Sequence, residues 1–274
     1  MDDTVKKSLK TVSLLVFSAM VFCLGIYYFM GKQSALEFIG GYLIEFSLSM
    51  DNLFVFISIF TAFAVPVEYQ HRCLTYGIIG AIVLRFIFIL LGVTIVHSFS
   101  WVLYIFGLVL IISGIKMFKK TEKHKDVKNS PAIKILGKIM PVSDHFDGHN
   151  FITHINGKRY ATPLLAVLFI IEFSDVLFAI DSVPAVFSVT TNLFIVYTSN
   201  IFAILGLRQL YFVLEHLQEC FCYVRYGVAV ILTFTGIKLA ALMFDFHISI
   251  VSSISIIFCV LILSVVLSIY LNRK

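Results

Sequence analysis

Eight apolar stretches, each long enough to cross the hydrocarbon core of a bilayer, dominate this 274-residue chain. A helix needs about 20 predominantly apolar residues to span a core of about 30 Å. Hydrophobic residues make up 59% of the chain and charged residues only 14%, which is more apolar surface than a water-soluble globule can bury. We therefore predict an all-α polytopic membrane helix bundle of about eight transmembrane helices, and we exclude soluble enzymes and nucleic-acid binders. The stretches run over residues 10–30, 36–63, 73–97, 99–118, 162–189, 193–217, 223–244 and 248–271.

The positions of the basic residues indicate how the chain is oriented. If the N-terminus is cytoplasmic and the first stretch crosses the membrane outward, seventeen Lys and Arg residues lie on the cytoplasmic side. Lys32 alone then lies outside. Cytoplasmic loops of membrane proteins carry such an excess of positive charge. The sequence thus predicts a multi-pass protein of the cell inner (cytoplasmic) membrane with both termini in the cytoplasm. The run from Thr11 to Met30 is long enough to be an uncleaved anchor helix.

The two halves of the chain share a repeat. In each half, an acid precedes an Asp-polar pair by six residues, and an arginine and a Gly-Ile-Lys sequence follow downstream. The offsets between the halves are 130, 123 and 122 residues, so order and spacing are kept across three successive helices. Because three is an odd number and the linker lies inside, the second unit is predicted to run in the opposite direction, as in the inverted repeats of secondary transporters. The matching features are Glu45–Asn52 with Asp175–Ser182, Arg85 with Arg208, and Lys116 with Lys238.

These patterns divide the chain into five predicted parts. A polar cytoplasmic loop separates the two repeats, and its Asn156-Gly157 pair, flanked by β-prone runs, predicts a small hairpin. The parts are an N-terminal anchor helix (1–35), a first three-helix repeat (36–118), the loop with the hairpin (119–161), a second three-helix repeat (162–245) and a C-terminal transmembrane helix (246–274).

Acidic residues inside the predicted spans mark the candidate site. Each costs about 2.5–3.5 kcal/mol near a helix centre, so each needs a compensating partner. One interpretation is structural, with salt bridges to the three basic residues of the spans, Arg85, Arg208 and Lys238. The other is a cation site of carboxylate, amide and hydroxyl oxygens, a ligand set that suits Mg²⁺, Ca²⁺ or Mn²⁺. Its candidate ligands are Glu45, Asp51, Asn52, Glu172, Asp175, Asp181 and Ser182.

Helix geometry sets a condition on this site. Six residues turn an ideal helix by about 600°, so Glu45 and Asp51 cannot face one ligand unless the helix unwinds between them. In the second repeat, Pro184 provides a reason to unwind, because it removes a backbone N–H and frees the carbonyl oxygen of Ile180, beside Asp181. We therefore expect a break in that helix.

Three segments resemble the TerC/Alx family of integral membrane proteins: SLSMDNLFVF from Ser47, TPLLAVLFIIEFSDVLFAIDSVPAVFSVT from Thr162, and SNIFAILGLRQLYFVLEHL from Ser199. The similarity runs from about Gly40 to Phe244. It implies a membrane protein of a wider exporter group that is associated in bacteria with manganese efflux and with metal supply to exported proteins. The resemblance thereby implies Mn²⁺ as cargo, a choice that the oxygen ligands permit but do not make.

The preferred hypothesis is a secondary transporter that exports a divalent cation in exchange for protons through a carboxylate site at the membrane midplane. The chain lacks the phosphate-binding motif G-x-x-x-x-G-K-[ST], so the energy must come from a gradient or a partner. We expect no enzymatic activity and no prosthetic cofactor, with a divalent ion, protons and lipid as partners. One alternative is an assembly or metal-supply factor for membrane or secreted client proteins, without net transport. An intramembrane aspartyl protease is a weaker alternative, because neither Asp51 nor Asp181 lies in a Gly-x-Gly-Asp sequence.

Overall fold

The computed structural model describes residues 3–119, 131–155, 157–217, 223–244, 246 and 248–271. Within these ranges the chain is almost entirely helical. A short 3₁₀ turn, Leu242–Phe244, follows the helix that ends at Ala241. The helices are α1 (Asp3–Ala62), α2 (Val67–Ser98), α3 (Val102–Lys119), α4 (Pro131–Ile139), α5 (Pro163–Phe187), α6 (Leu193–Leu205), α7 (Leu207–Leu217), α8 (Val224–Ala241) and α9 (Ile250–Leu271), and the strands are β1 (Ile152–Ile155) and β2 (Lys158–Ala161).

Six helical segments in the described part of the chain are long and apolar enough to cross a membrane. Large apolar side chains such as Phe17, Ile79 and Leu263 lie exposed along them, as expected where lipid is the solvent. The prediction of a helical membrane protein with several spans is thus confirmed. The six segments are Lys6–Ala62, Val67–Ser98, Pro163–Phe187, Leu193–Leu214, Val224–Phe244 and Ile250–Ser268; a shorter apolar helix, Val102–Phe118, lies at the fourth predicted stretch.

Helix α1 covers the first two predicted stretches and reverses direction at Gly31. This glycine has φ 88° and ψ 173°, a conformation that a residue with a side chain rarely adopts. The Cys23 thiol donates to the carbonyl oxygen of Ala35 at 3.6 Å, and the rings of Phe22 and Phe38 lie 5.5 Å apart. Twelve residues of straight helix would separate Cys23 from Ala35 by about 18 Å. The two arms of α1 therefore pack against each other as a helical hairpin.

The loop hairpin lies at the predicted place. Strands β1 and β2 pair antiparallel, with Ile152 opposite Ala161 and Ile155 opposite Lys158. Gly157 turns the chain with φ 75°, while Asn156 lies outside the described residues. Directly after β2, the Thr162 hydroxyl caps α5 by accepting from the backbone N–H of Leu165, so the hairpin leads straight into the second half of the bundle.

Pairs of helices from the two halves form the bundle. Helix α3 packs along α8, α2 packs along α5, and α1 packs along α5, α6 and α7. The α3–α8 contact is close enough to require glycine. A Cβ on Gly107 would lie 2.8 Å from the carbonyl oxygen of Gly236, and one on Gly114 would lie 2.8 Å from that of Ala229. The site described next lies where α1, α2, α5 and α6 converge.

Candidate functional site

Three charged side chains lie near the centres of three long helices. Asp175 is twelve residues from both ends of α5, Arg85 is thirteen residues before the end of α2, and Glu45 is seventeen residues before the end of α1. At 1.5 Å per residue, twelve residues place Asp175 about 18 Å from each end of its helix. Half of a hydrocarbon core is about 15 Å, so these charges lie deep within helices that are long enough to cross a membrane.

The three side chains form a buried ion cluster. Arg85 donates through Nε to Oδ2 of Asp175 at 3.2 Å and through Nη2 to Oδ1 at 3.1 Å, a two-pronged pairing that fixes both groups. Its Nη1 is paired with Oε1 of Glu45. One arginine between two carboxylates leaves one negative charge uncompensated in this cluster. We call Arg85, Glu45 and Asp175 the acid–arginine cluster.

Neutral polar groups complete the cluster. Nη1 of Arg85 also donates to the Ser182 hydroxyl at 3.1 Å and to Oδ1 of Asn200 at 3.5 Å. The Asn200 amide nitrogen donates in turn to Oε2 of Glu45 at 2.8 Å, and the Ser49 hydroxyl donates to Oε1 at 3.3 Å. Asn200 was missed by the sequence argument. An amide in the middle of the apolar stretch 193–217 was the available signal, since a polar group at that depth needs a partner.

A cavity of about 250 Å³ lies beside the cluster and contains three of the predicted site residues, Asn52, Asp181 and Ser182. The Ser113 hydroxyl donates to Oδ1 of Asp181 at 2.8 Å from α3. Ser182 contacts both the cavity and Arg85, so it joins the two polar regions. The remaining lining is mostly apolar and includes one lysine: Leu48, Val55, Lys116, Met117, Phe178, Val228 and Leu232.

Asp51 lies in α1 directly before Asn52. Its side chain is outside the part of the chain that the structure describes. The backbone position puts it one residue from the cavity lining, and its role as a ligand stays a prediction.

Glu172 lies apart from the acid–arginine cluster. Its carboxylate packs against α2, where a Cβ on Gly80 would overlap it. Its Oε2 is buried and has no hydrogen-bond partner in the described part of the chain. The structure therefore places Glu172 in a second buried location, against the glycine face of α2.

Two of the three predicted counter-charges form no ion pair with an acid among the described residues. Arg208 donates from Nη1 to the Thr75 hydroxyl at 3.0 Å. Lys238 is buried in α8 and forms no ion pair with any described residue. Arg85 alone of the three lies between the repeat-related acids.

The acids are not arranged around an ion in this state. Among the described residues, no group of three or more His, Cys, Asp or Glu side chains is placed to hold a metal. This holds as well for the described histidines and acids of the loop. Glu45 and Asp175 face Arg85 instead, so the described carboxylate at the cavity wall is that of Asp181.

The prediction of a break in α5 beside Asp181 is wrong. Helix α5 stays helical through Asp181 and Pro184 and ends at Phe187. Pro184 lies in the last turn, where losing one backbone hydrogen bond disturbs little of the remaining helix. The interruption falls instead at Gly206, between α6 and α7. Because α5 does not unwind, Asp175 faces the cluster while Asp181 faces the cavity.

The chain matches the model of a known protein family over most of its length. The model of the "Integral membrane protein TerC family" matches residues 30–274. The chain belongs to the TerC family. This TerC-family protein is an integral, multi-pass membrane protein, and the resemblance seen in its acidic segments is confirmed.

Relatives of this TerC-family chain cover most of its length. It is 46% identical over 239 residues to an uncharacterized membrane protein of Myxococcus xanthus, STKORF319, covering 87% of this chain and 75% of the relative. It is 45% identical over 240 residues, 88% of this chain and 74% of the relative, to Alx of Escherichia coli K12, whose name proposes a membrane-bound redox modulator. It is 44% identical over 256 residues, 93% of this chain and 67% of the relative, to the chloroplastic thylakoid membrane protein TERC of Arabidopsis thaliana. No solved structure matches the chain.

Proposed function

We propose that this TerC-family protein is a secondary transporter that exports a divalent cation, Mn²⁺ in the first instance, in exchange for protons. The observation that carries the proposal is the cavity lined by Asn52, Asp181 and Ser182 beside the acid–arginine cluster. Both halves of the chain contribute to it, because Asn52 belongs to α1 and the other two belong to α5. A polar cavity of this kind between two halves of a membrane bundle suits an ion that must be reached from either side.

The chemistry of the lining favours a hard cation. Carboxylate, amide and hydroxyl oxygens are ligands for Mn²⁺, Mg²⁺ or Ca²⁺, and the cavity presents no thiol or imidazole for a softer metal. Mn²⁺ is proposed among these ions because the family resemblance implies it. The full set of proposed ligands over a transport cycle is Glu45, Asp51, Asn52, Glu172, Asp175, Asp181 and Ser182.

Exchange with protons follows from the same carboxylates. An ionised carboxylate binds the cation and a protonated one releases it, so cation and proton are alternative occupants of one group. Protons arriving from outside would displace the metal outward. This gives the transport a gradient as its energy source.

Helix packing supports the inverted repeat on which alternating access depends. The offset of 122 residues relates position 107 to 229 and position 114 to 236. The observed contacts join Gly107 to Gly236 and Gly114 to Ala229, so α3 and α8 run antiparallel about a local two-fold relation. A parallel repeat would join 107 to 229. If α1 is counted as two spans and the shorter helix α3 as one, the chain has eight spans. Eight is the number predicted for a chain with both termini in the cytoplasm.

The orientation gives a direct prediction. A reporter that is active only in the cytoplasm should be active when it is fused at Gly148 in the loop, and silent at Lys32 or Phe246. The physical reason is the positive charge of the loop, which resists translocation. An active reporter at Phe246 would contradict the inverted arrangement, because it would place both ends of α8 on the same side.

A role in redox chemistry has less support in this chain. Its cysteines within the described ranges are single and free, with Cys23 and Cys73 buried and Cys259 exposed. Cys220 and Cys222 lie outside those ranges. The competing proposal is an assembly or metal-supply factor for membrane or secreted client proteins, without net flux.

The cation can be identified in cells of a bacterial host. We expect cytosolic manganese to rise when the gene is deleted and to fall when the protein is overproduced, with Mg, Ca, Fe and Zn measured in the same samples. An equal change in all five metals would argue against a selective exporter. A change in the content of one other metal alone would identify that metal, and not Mn²⁺, as the cargo.

A further inference from the structure

Each of the two repeat-related arginines follows a threonine by ten residues. Thr75 precedes Arg85 on α2, and Thr198 precedes Arg208 across α6 and α7. One offset, 123 residues, relates both the threonines and the arginines. The two halves therefore carry the same pair of groups in the same register.

The two arginines occupy different environments. Arg85 lies between Glu45 and Asp175, whereas Arg208 donates to Thr75, the threonine of the opposite repeat. Arg208 follows Gly206, the single residue that separates α6 from α7. The matching contact, Arg85 with Thr198, is not made here; the Thr198 hydroxyl donates within its own helix to Phe194 at 2.7 Å.

The cavity has the same asymmetry. Its lining includes Lys116, which is exposed, and Met117, which is half-buried. Their repeat mates at an offset of 122, Lys238 and Leu239, are buried at 7% and 1% exposure. Lys116 and Met117 on α3 are therefore more exposed than their repeat mates on α8.

Both arginines are close to the positions they would exchange. Arg208 and Asp175 line the same small cavity, of about 20 Å³. On the other side, the rings of Phe86 and Tyr197 lie 5.0 Å apart, which places the neighbours of Arg85 and Thr198 in contact. The exchange therefore joins groups that share a cavity or that lie next to residues in contact.

We propose that Arg208 and the two threonines are positioning residues of the transport cycle, and that the two arginines exchange places. In the opposite-facing state Arg208 leaves Thr75 and pairs with Asp175 and Glu45, while Arg85 leaves the acids and donates to Thr198. The acids are then paired with an arginine in both end states, as buried charges require. This inference rests on the proposed function, because it assigns the two states between which a transporter alternates.

The exchange also explains Asn200. Its repeat mate at an offset of 123 is Gly77, which has no side chain to donate to Asp175. Asn200 therefore supports Arg85 between the acids and has no counterpart for Arg208. The state observed here is the more stable of the two for that reason.

The test uses two matched probe sites and two matched threonine variants in purified protein reconstituted in lipid nanodiscs. The probes are Met117→Cys and Leu239→Cys, each labelled with a polar maleimide and measured by peptide mass spectrometry. We expect Met117→Cys to label readily and Leu239→Cys slowly in the otherwise unchanged chain. Thr75→Val removes the acceptor that holds Arg208, a hydrogen bond to a charged group, so labelling at Leu239→Cys should rise about tenfold while labelling at Met117→Cys falls.

Two further variants separate exchange from simple loosening. Thr75→Ser keeps the hydroxyl and should restore the original labelling, whereas Thr198→Val should leave Leu239→Cys slow, because it removes the acceptor of the opposite state. Faster labelling at both probes in Thr75→Val, or unchanged labelling at both, would overturn the exchange. Labelling does not depend on metal flux, so the expected shift without Mn²⁺ transport would remove the proposed function alone.

Discussion

Replacement of Arg85 by glutamine is expected to cause the largest loss of stability of any single change in the bundle centre. The variant leaves Glu45 and Asp175 buried inside the helix bundle without their counter-charge. Removing one partner of a buried ion pair typically costs about 3–5 kcal/mol. Thermal unfolding of the purified protein in detergent, followed by fluorescence-detected size exclusion, measures the loss.

Matched variants show whether charge is the cause. Arg208→Gln removes the repeat mate, whose observed partner is a hydroxyl, so its midpoint should fall much less. Combining Arg85→Gln with Glu45→Gln and Asp175→Asn removes the uncompensated charges and should recover most of the stability. If Arg85→Gln unfolds at the same temperature as the unchanged chain, the cluster does not hold the bundle together.

Asp181→Asn is expected to abolish manganese tolerance while leaving folded protein in the membrane. Asp181 lines the cavity and accepts one hydrogen bond from Ser113, and no arginine or lysine forms an ion pair with it in the described chain. The amide keeps the shape but removes the charge that binds a cation. Survival of a strain without other manganese exporters, scored over a range of manganese concentrations, should fall to that of the empty vector.

The control for this experiment is Glu68→Gln, an exposed acid in the first turn of α2. It should behave like the unchanged chain. Loss of folded Asp181→Asn protein from the membrane would instead assign Asp181 a structural role.

The membrane spans could be predicted because length and apolar composition are local properties of the sequence. The polar stripe of α5 could also be predicted, since helical periodicity puts Asp175 and Ser182 on one face. Both contact Arg85 in the structure. The reversal between the stretches 10–30 and 36–63 was predicted as well, and the structure places it at Gly31.

The partner of each charge could not be predicted from spacing. The repeat presents Arg85 and Arg208 as equivalent, and only the packing of α1, α2, α5 and α6 decides that Arg85 reaches both acids. Pro184 was given too much weight, because its position in the last turn of α5 became known only with the end of the helix. Asn200 shows the same limit, since its importance depends on Glu45, which is 155 residues away.

Flux measured with the purified protein alone, in sealed liposomes, tests the central claim most directly. A Mn²⁺-sensitive dye and a pH dye are enclosed together, and a proton gradient is imposed across the membrane. The account predicts that the proton gradient drives Mn²⁺ in the opposite direction, that a Mn²⁺ gradient alone moves protons, and that Asp181→Asn does neither. Liposomes with the unchanged chain in which Mn²⁺ moves no faster than in protein-free liposomes would contradict it.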